Sequence, residues 1–233
     1  MHKSKKKSYY LLRKCQKMTS KTVYDYFTGR LLTVRPDPFV LDDVFCEEDF
    51  NNLRRDIELE KNNSNLNYDR TMGRFTISDE KLFQKEKEKL TSVARKIFNS
   101  ETLIPSYCLY AIYRGHRANL PHHIDDNACT YTIDLCVSYK TQWPIYVEDI
   151  EFKLEPNQAV CYYGEDQYHW RNKFPDPANN EVEMIFFHFI EPDHWSIING
   201  QEYRKEILDN CIQHQKKVLK YLLNSPKVNS DGR

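Results

Sequence analysis

The segment "PHHIDDN", residues 121–127, sets two histidines and two carboxylates ahead of "ACTYTIDLCVSY", a run that reads as a β-strand. His123 and Asp125 stand two residues apart. On an extended segment their side chains therefore point to one side and can offer an imidazole nitrogen and a carboxylate oxygen to a single cation. His122 and Asp126 lie off that side and are expected to face solvent or to buttress the pair. A third ligand would complete a 2-His-1-carboxylate face, and His169, His188 and His194 are the downstream histidines that can supply it. His169, in "CYYGEDQYHWRNKF", follows a predicted strand and a glycine-containing loop that can carry it across a sandwich. His188 alternates with large apolar residues in "MIFFHFI" and reads as a packed strand histidine, and His194 follows "EPD" in a connecting turn. His169 is the preferred third ligand. Such a face leaves coordination positions open, which suits non-haem Fe(II) activating dioxygen rather than a closed structural zinc site.

Positioning these groups requires a scaffold, and 233 residues at 40% hydrophobic and 13% aromatic content can bury one core with extensions. In "CEEDFNNLRRDIELEK", Phe50, Leu53 and Ile57 recur at helical spacing with acids in the first turn, where the helix dipole favours them. After an Asn-rich polar stretch, a second helix is expected over residues 79–99, with Leu82, Leu90, Val93, Ala94, Ile97 and Phe98 as its apolar stripe. Beyond Pro105 the chain turns to β-branched and aromatic runs: "SYCLYAIYR", "CTYTIDLCVSY", "WPIYVED", "IEFKL", "QAVCYY" and "EVEMIFFHFI". Short strands without intervening helices imply an antiparallel sandwich or barrel, of which a double-sheet jelly roll is one form. Residues 201–223 return to helical period through Ile207, Leu208, Cys211, Ile212, Val218 and Leu219. The expectation is a mostly β jelly-roll core packed by N-terminal and C-terminal helices, with the C-terminal helix a candidate for self-association.

Charge is balanced at 34 basic and 34 acidic residues but unevenly placed. The first 24 residues carry eight Lys or Arg and no acid, which leaves 26 basic against 34 acidic residues in the rest, a net of −8. Residues 1–24 therefore read as a flexible basic arm, residues 25–200 as the β domain with its supporting helices, and residues 201–233 as a helix with a frayed tail. Nucleic acid is not expected as a partner, because the strands do not interleave basic and aromatic residues. Seven cysteines without a C-x-x-C pair read as reduced thiols, mostly in buried strands, and point to the cytoplasm. No apolar window approaches 18 residues, so no membrane span is expected.

The order "YAIYRG…HHID…TYTIDLCVSY…WPIYV…FKLEPNQAVCYY…YHWR…EMIFFHFI" resembles the catalytic core of the Fe(II)- and 2-oxoglutarate-dependent dioxygenases, including their prolyl hydroxylase-like branch. The resemblance runs from about Phe39 to Pro192 and implies a double-stranded β-helix, cupin-like in architecture. It implies that His123, Asp125 and His169 bind Fe(II), and that 2-oxoglutarate and O2 are cosubstrates. The implied chemistry is oxidation of an unactivated C–H bond in a small-molecule or peptide substrate, with release of succinate and CO2. By the same resemblance, the carboxylate of Asp125 favours hydroxylation or another oxidation over halogenation, which in this family goes with its loss, and leaves desaturation and ring formation open. Most of the family holds the distal carboxylate of 2-oxoglutarate with a basic residue about ten positions after the second histidine, where this chain reads "DPANNEVEM". Arg171 is the nearest replacement, with Lys173, Arg114 and Arg117 as alternatives; a guanidinium suits the role because its planar fork pairs bidentately with a carboxylate. Tyr113 is a second cosubstrate contact by the same analogy. Arg114, Arg117, Tyr131 and Trp170 are weaker candidates for substrate contact. A competing reading is a cupin-like sandwich that binds a metal or small ligand without turnover.

Overall fold

A computed structural model describes residues 21–25, 30–62, 66–77, 83–126 and 128–194. The basic segment before residue 21 and the expected helix over residues 201–223 lie outside the described residues. The chain divides into two compact units, residues 1–192 and residues 193–233. In the second, only Asp193 and His194 are described. No described helix is long and apolar enough to cross a membrane.

Twelve strands and two helices make up the described part of the first unit: β1 (Lys21–Asp25), β2 (Arg30–Val34), β3 (Phe39–Leu41), α1 (Glu47–Asn62), β4 (Asn67–Asp69), β5 (Arg74–Ile77), α2 (Gln84–Ile97), β6 (Ile104–Arg114), β7 (Tyr131–Tyr139), β8 (Ile145–Val147), β9 (Ile150–Phe152), β10 (Ala159–Tyr162), β11 (His169–Trp170) and β12 (Glu181–Ile190). A seven-stranded sheet runs β3-β10-β7-β12-β6-β5-β4, a three-stranded sheet runs β11-β8-β9, and β1 and β2 form a hairpin. All these pairings are antiparallel. Two facing antiparallel sheets flanked by helices are the jelly-roll arrangement that the strand runs imply.

Strand alternation divides the large sheet into two faces. One face presents Tyr110 and Ile112 of β6, Ile133, Leu135 and Val137 of β7, and Ile185, Phe187 and Phe189 of β12 to Phe50, Leu53 and Ile57 of α1 and Leu90, Ala94 and Ile97 of α2. The other presents Ala111, Tyr113, Cys136, Val160, Tyr162, Val182, Met184 and Phe186 to Ile145, Val147 and Phe152 of the small sheet. The second face is the one that matters for function.

Helix α1 buries the three residues its spacing selects and carries Glu47, Glu48 and Asp49 in its first turn. Helix α2 begins at Gln84 rather than residue 79, and Leu82 lies outside the described residues. The Asn-rich segment, read as polar connection, holds the β4–β5 hairpin instead. Its turn contains Gly73 at φ +60°, and a Cβ there would stand 1.8 Å from the Arg117 carbonyl oxygen, so only glycine lets the hairpin press on the loop that leads to His123. Asn119 N–H donates to the Met72 carbonyl oxygen across the same contact at 3.0 Å. The described cysteines are all free thiols, buried at Cys108, Cys129, Cys136 and Cys161 and exposed at Cys46.

Candidate metal centre

His123 and His169 meet through a backbone bridge that the sequence does not announce. The His123 amide donates to the His169 carbonyl oxygen at 3.1 Å and the His169 amide returns the bond at 2.9 Å. This pairing sets the two imidazoles on one side with ring centroids 4.2 Å apart. Nδ1 of His123 lies 2.7 Å from the Pro121 carbonyl oxygen and Nδ1 of His169 lies 3.1 Å from that of Gln167. A carbonyl can only accept, so each Nδ1 carries its proton and each Nε2 is left to face the Asp125 carboxylate.

Asp125 completes the group. Its Oδ1 is 3.7 Å from Nε2 of His123 and 3.4 Å from Nε2 of His169, and the three ligating atoms fall within 4.8 Å of one another. The Asp125 amide is anchored on the Gly164 carbonyl oxygen at 2.8 Å. A Cβ at Gly164 would stand 2.5 Å from Oδ2 of Asp125, so this glycine leaves the room the carboxylate occupies. Oδ2 is buried and has no hydrogen-bond partner. An orphaned carboxylate oxygen in a buried site is costly, and here it is the oxygen turned away from the two histidines, while Oδ1 faces both Nε2 atoms. Two imidazole nitrogens and a carboxylate oxygen fit Fe(II).

The electrostatics follow from this proximity. Burial lowers the pKa of His123, and the neighbouring His169 lowers it further. Burial also opposes charge on His169, but the contact with Asp125 outweighs it and raises the pKa above the ordinary histidine range. Burial pushes Asp125 up while His169 pulls it down more strongly, for a net lowering.

The guanidinium of Arg171 enters the same inter-sheet space. It is buried, and its Nη1 donates to the Trp143 carbonyl oxygen while Nη2 reaches Sδ of Met184 at 3.5 Å. Its Cζ lies 4.9 Å from the Trp143 ring centroid. Arg171 makes no ion pair with a described carboxylate, and burial lowers its pKa. Met184 sits near the start of β12, so Arg171 delivers a cation to the strand that carries "EVEMI" without one. Tyr113 stands beside it, its ring 5.1 Å from that of Trp143.

Solved structures share this framework at low sequence identity. A prolyl-4-hydroxylase from Pseudomonas putida matches at 15% identity over 66% of this chain and 92% of its own, with a TM-score of 0.51. A prolyl hydroxylase from Trichoplax adhaerens, in complex with a hypoxia inducible factor oxygen degradation domain peptide fragment, matches at 11% over 70% and 87%, with a TM-score of 0.55. The non-haem alpha ketoglutarate dependent carbocyclase SnoK, from nogalamycin biosynthesis, matches at 10% over 67% and 80%, with a TM-score of 0.53. The chain has the double-stranded β-helix fold of the 2-oxoglutarate/Fe(II) oxygenases. No protein-family model matches the sequence, and no curated protein matches it.

Within this fold the other sequence-selected residues fall elsewhere. Arg114 is exposed on the opposite side of β6 from Tyr113, 3.5 Å from Glu181 and over the Phe75 ring. Arg117 and Lys173 are exposed. Tyr131 packs among Phe98 and Tyr163 on the helix-facing side of β7, and its hydroxyl donates to Glu191 at 3.2 Å. Trp170 points away from His169 and stacks between His122 and Tyr146 at 4.7 and 5.4 Å. His188 is buried on β12, 3.1 Å from the Thr132 hydroxyl, while His194 belongs to the second unit.

Two charged residues of the inter-sheet space went unread in the sequence. Arg74 of β5 is held by Asp69 at 3.0 Å, and its Nη1 donates to the Tyr113 hydroxyl at 2.7 Å. Asp134 of β7 is buried, with Oδ2 accepting from the Tyr162 hydroxyl at 2.9 Å and Oδ1 unpartnered. Burial, reinforced by the charge of Asp125, pushes its pKa up to about 7. A raised carboxyl pKa means the native state keeps a proton that the unfolded chain loses from about pH 4, so stability falls between pH 4 and 7. Asp134→Asn is expected to remove that slope and raise stability at pH 8 by up to about 4 kcal/mol, as read by denaturant melts from pH 5 to 8. An unchanged slope would assign the titration elsewhere.

Proposed function

We propose that this chain is a non-haem Fe(II)/2-oxoglutarate-dependent oxygenase that hydroxylates an unactivated C–H bond of an amino acid, a small metabolite or a peptide residue. One observation carries the reading: the His123–Asp125–His169 face and the buried Arg171 guanidinium, which makes no ion pair with a described carboxylate, both stand close to the buried Asp134 on the inner face of the large sheet. Bound iron and 2-oxoglutarate would supply dioxygen activation, with succinate and CO2 as co-products.

The residues have separable roles. Nε2 of His123, Nε2 of His169 and Oδ1 of Asp125 hold the metal, and the Pro121 and Gln167 carbonyls fix both histidine tautomers. Arg171 receives the distal carboxylate of 2-oxoglutarate, and the Tyr113 hydroxyl, itself held by Arg74, lies beside it. The apolar wall of Val182, Met184 and Phe186 keeps water from the reacting groups. Halogenation is disfavoured because Asp125 retains the carboxylate that fills the metal face.

The test is anaerobic addition of Fe(II) and then 2-oxoglutarate to the metal-free protein. The expected result is a weak visible metal-to-ligand charge-transfer band, followed in air by succinate formation that requires both additions. Iron binding without that band, and without succinate, would replace the oxygenase by a metal-binding sandwich of the same fold.

A further inference from the structure

Asp125 faces a second set of donors. Its carboxylate, the Cys129 thiol and the His188 imidazole place one oxygen, one sulfur and one nitrogen within 4.8 Å of one another. Oδ1 is the atom nearest the two triad histidines. Oδ2 is the orphan, and it borders the space at Gly164 together with the Cys129 carbonyl oxygen and the Thr132 hydroxyl, which lie 2.5, 2.5 and 2.6 Å from where a Cβ would stand. The Thr132 hydroxyl is in turn 3.1 Å from Nδ1 of His188. Tyr107 closes the far side, its ring 4.5 Å from that of His188 and its hydroxyl 3.0 Å from Sγ of Cys129. One carboxylate thus stands between an N,N,O set and an S,N,O set.

We propose that Asp125, Cys129 and His188 form a second cation position, suited to a thiophilic divalent ion such as Zn(II), which uses the carboxylate oxygen that the first position leaves free. The donor types argue for it. Thiolate with imidazole selects zinc or cobalt(II) over the harder ions, whereas the all-N,O face suits iron(II). The Thr132 hydroxyl donates to the Cys129 carbonyl oxygen at 3.3 Å and so accepts from Nδ1–H of His188, which puts the ring lone pair on Nε2. A bound cation deprotonates a coordinating thiol outright, and the Tyr107 hydroxyl then donates to the thiolate. A hydrogen-bonded core cluster would account for Thr132, His188 and Tyr107 but not for an unsatisfied Oδ2. Because both positions draw on Asp125, a cation at the second weakens retention of iron at the first. The proposal rests on the oxygenase reading only through Asp125 and needs no 2-oxoglutarate.

Co(II) alone, added to the metal-free, reduced full chain, reads this position directly through a near-ultraviolet thiolate-to-cobalt charge-transfer band. The band is expected in the wild type, kept in His123→Ala, and lost in Cys129→Ser, an isosteric change at which the serine hydroxyl keeps a bond to Tyr107. It is also expected to weaken in His188→Gln, which decides the matter should the serine variant fail to fold by near-ultraviolet circular dichroism. Cobalt binding without the band, a band that survives Cys129→Ser, or one unchanged in His188→Gln overturns the proposal. The iron and 2-oxoglutarate band of Cys129→Ser, measured separately, reports the first position, so failure of either reading is seen by itself.

Discussion

Asp125→Asn is expected to abolish Fe(II) retention and succinate formation while leaving the protein folded. The amide keeps the shape of the carboxylate but removes the only anion of the proposed ligand face. That loss is worth at least about 4 kcal/mol, roughly a thousandfold in iron affinity. Its effect on the metal-free protein depends on pH in a way that separates a ligand from a structural carboxylate. The contact with Asp125 raises the His169 pKa above its unfolded value. The stability it adds is therefore complete below the ordinary histidine pKa and is lost as pH rises through the folded value. The Asp125 pKa is lowered, so that residue's share is present above the ordinary aspartate range and is lost on strong acidification. The two shifts describe one contact between carboxylate and imidazolium, so the variant should melt further below wild type at pH 6 than at pH 8. Iron binding follows the same proton: Nδ1 of His169 is committed to Gln167, so Fe(II) must displace the proton from Nε2, and affinity rises with pH across that titration. Anaerobic iron titrations at pH 6 and 8, with thermal melts beside them, check both statements. Iron affinity within tenfold of wild type would take Asp125 out of the metal face.

What could be read from the sequence was whatever a short period encodes. Helix α1 was legible because Phe50, Leu53 and Ile57 repeat on one face, and β12 because a ten-residue run rich in β-branched and aromatic residues holds no Gly or Pro. The pairing of His123 with Asp125 was legible because two residues on an extended chain share a side. Strand β11 was not, since two residues cannot show a period; its existence depends on β8 and on the bridge to His123. The same alternation that selects Tyr113 excludes its neighbour Arg114 from the inter-sheet face, and sets Tyr131 opposite to Thr132 and Asp134. That signal was available. Asp134 itself was a carboxylate standing at an inward position of "TYTIDLCVSY", a place where burial without a partner is expensive. Arg74 was hidden for another reason: the hairpin that carries it is held by tertiary contact with β6 and by a close approach at Gly73, neither of which a polar, Asn-rich stretch displays.

Arg171→Met is expected to raise the 2-oxoglutarate concentration for half-maximal turnover about a hundredfold, with much less change in Fe(II) binding. The figure corresponds to loss of a charge-assisted, bidentate contact of about 3 kcal/mol. The guanidinium is buried against a carbonyl oxygen, a thioether and an indole face, with no ion pair to a described carboxylate, and burial lowers its pKa. Those partners do not repay the desolvation of a cation. Methionine fills similar volume without the charge, so the variant should be no less stable than wild type and up to about 3 kcal/mol more so. A residue kept for stability would behave in the opposite way. Arg171→Lys separates charge from geometry: it retains the cation but not the planar fork, and its cosubstrate requirement should fall between wild type and Arg171→Met. Initial rates against 2-oxoglutarate, with denaturant melts of the same preparations, give both readings. An unchanged requirement in Arg171→Met would transfer the anchor to Arg74, the guanidinium already bonded to the Tyr113 hydroxyl.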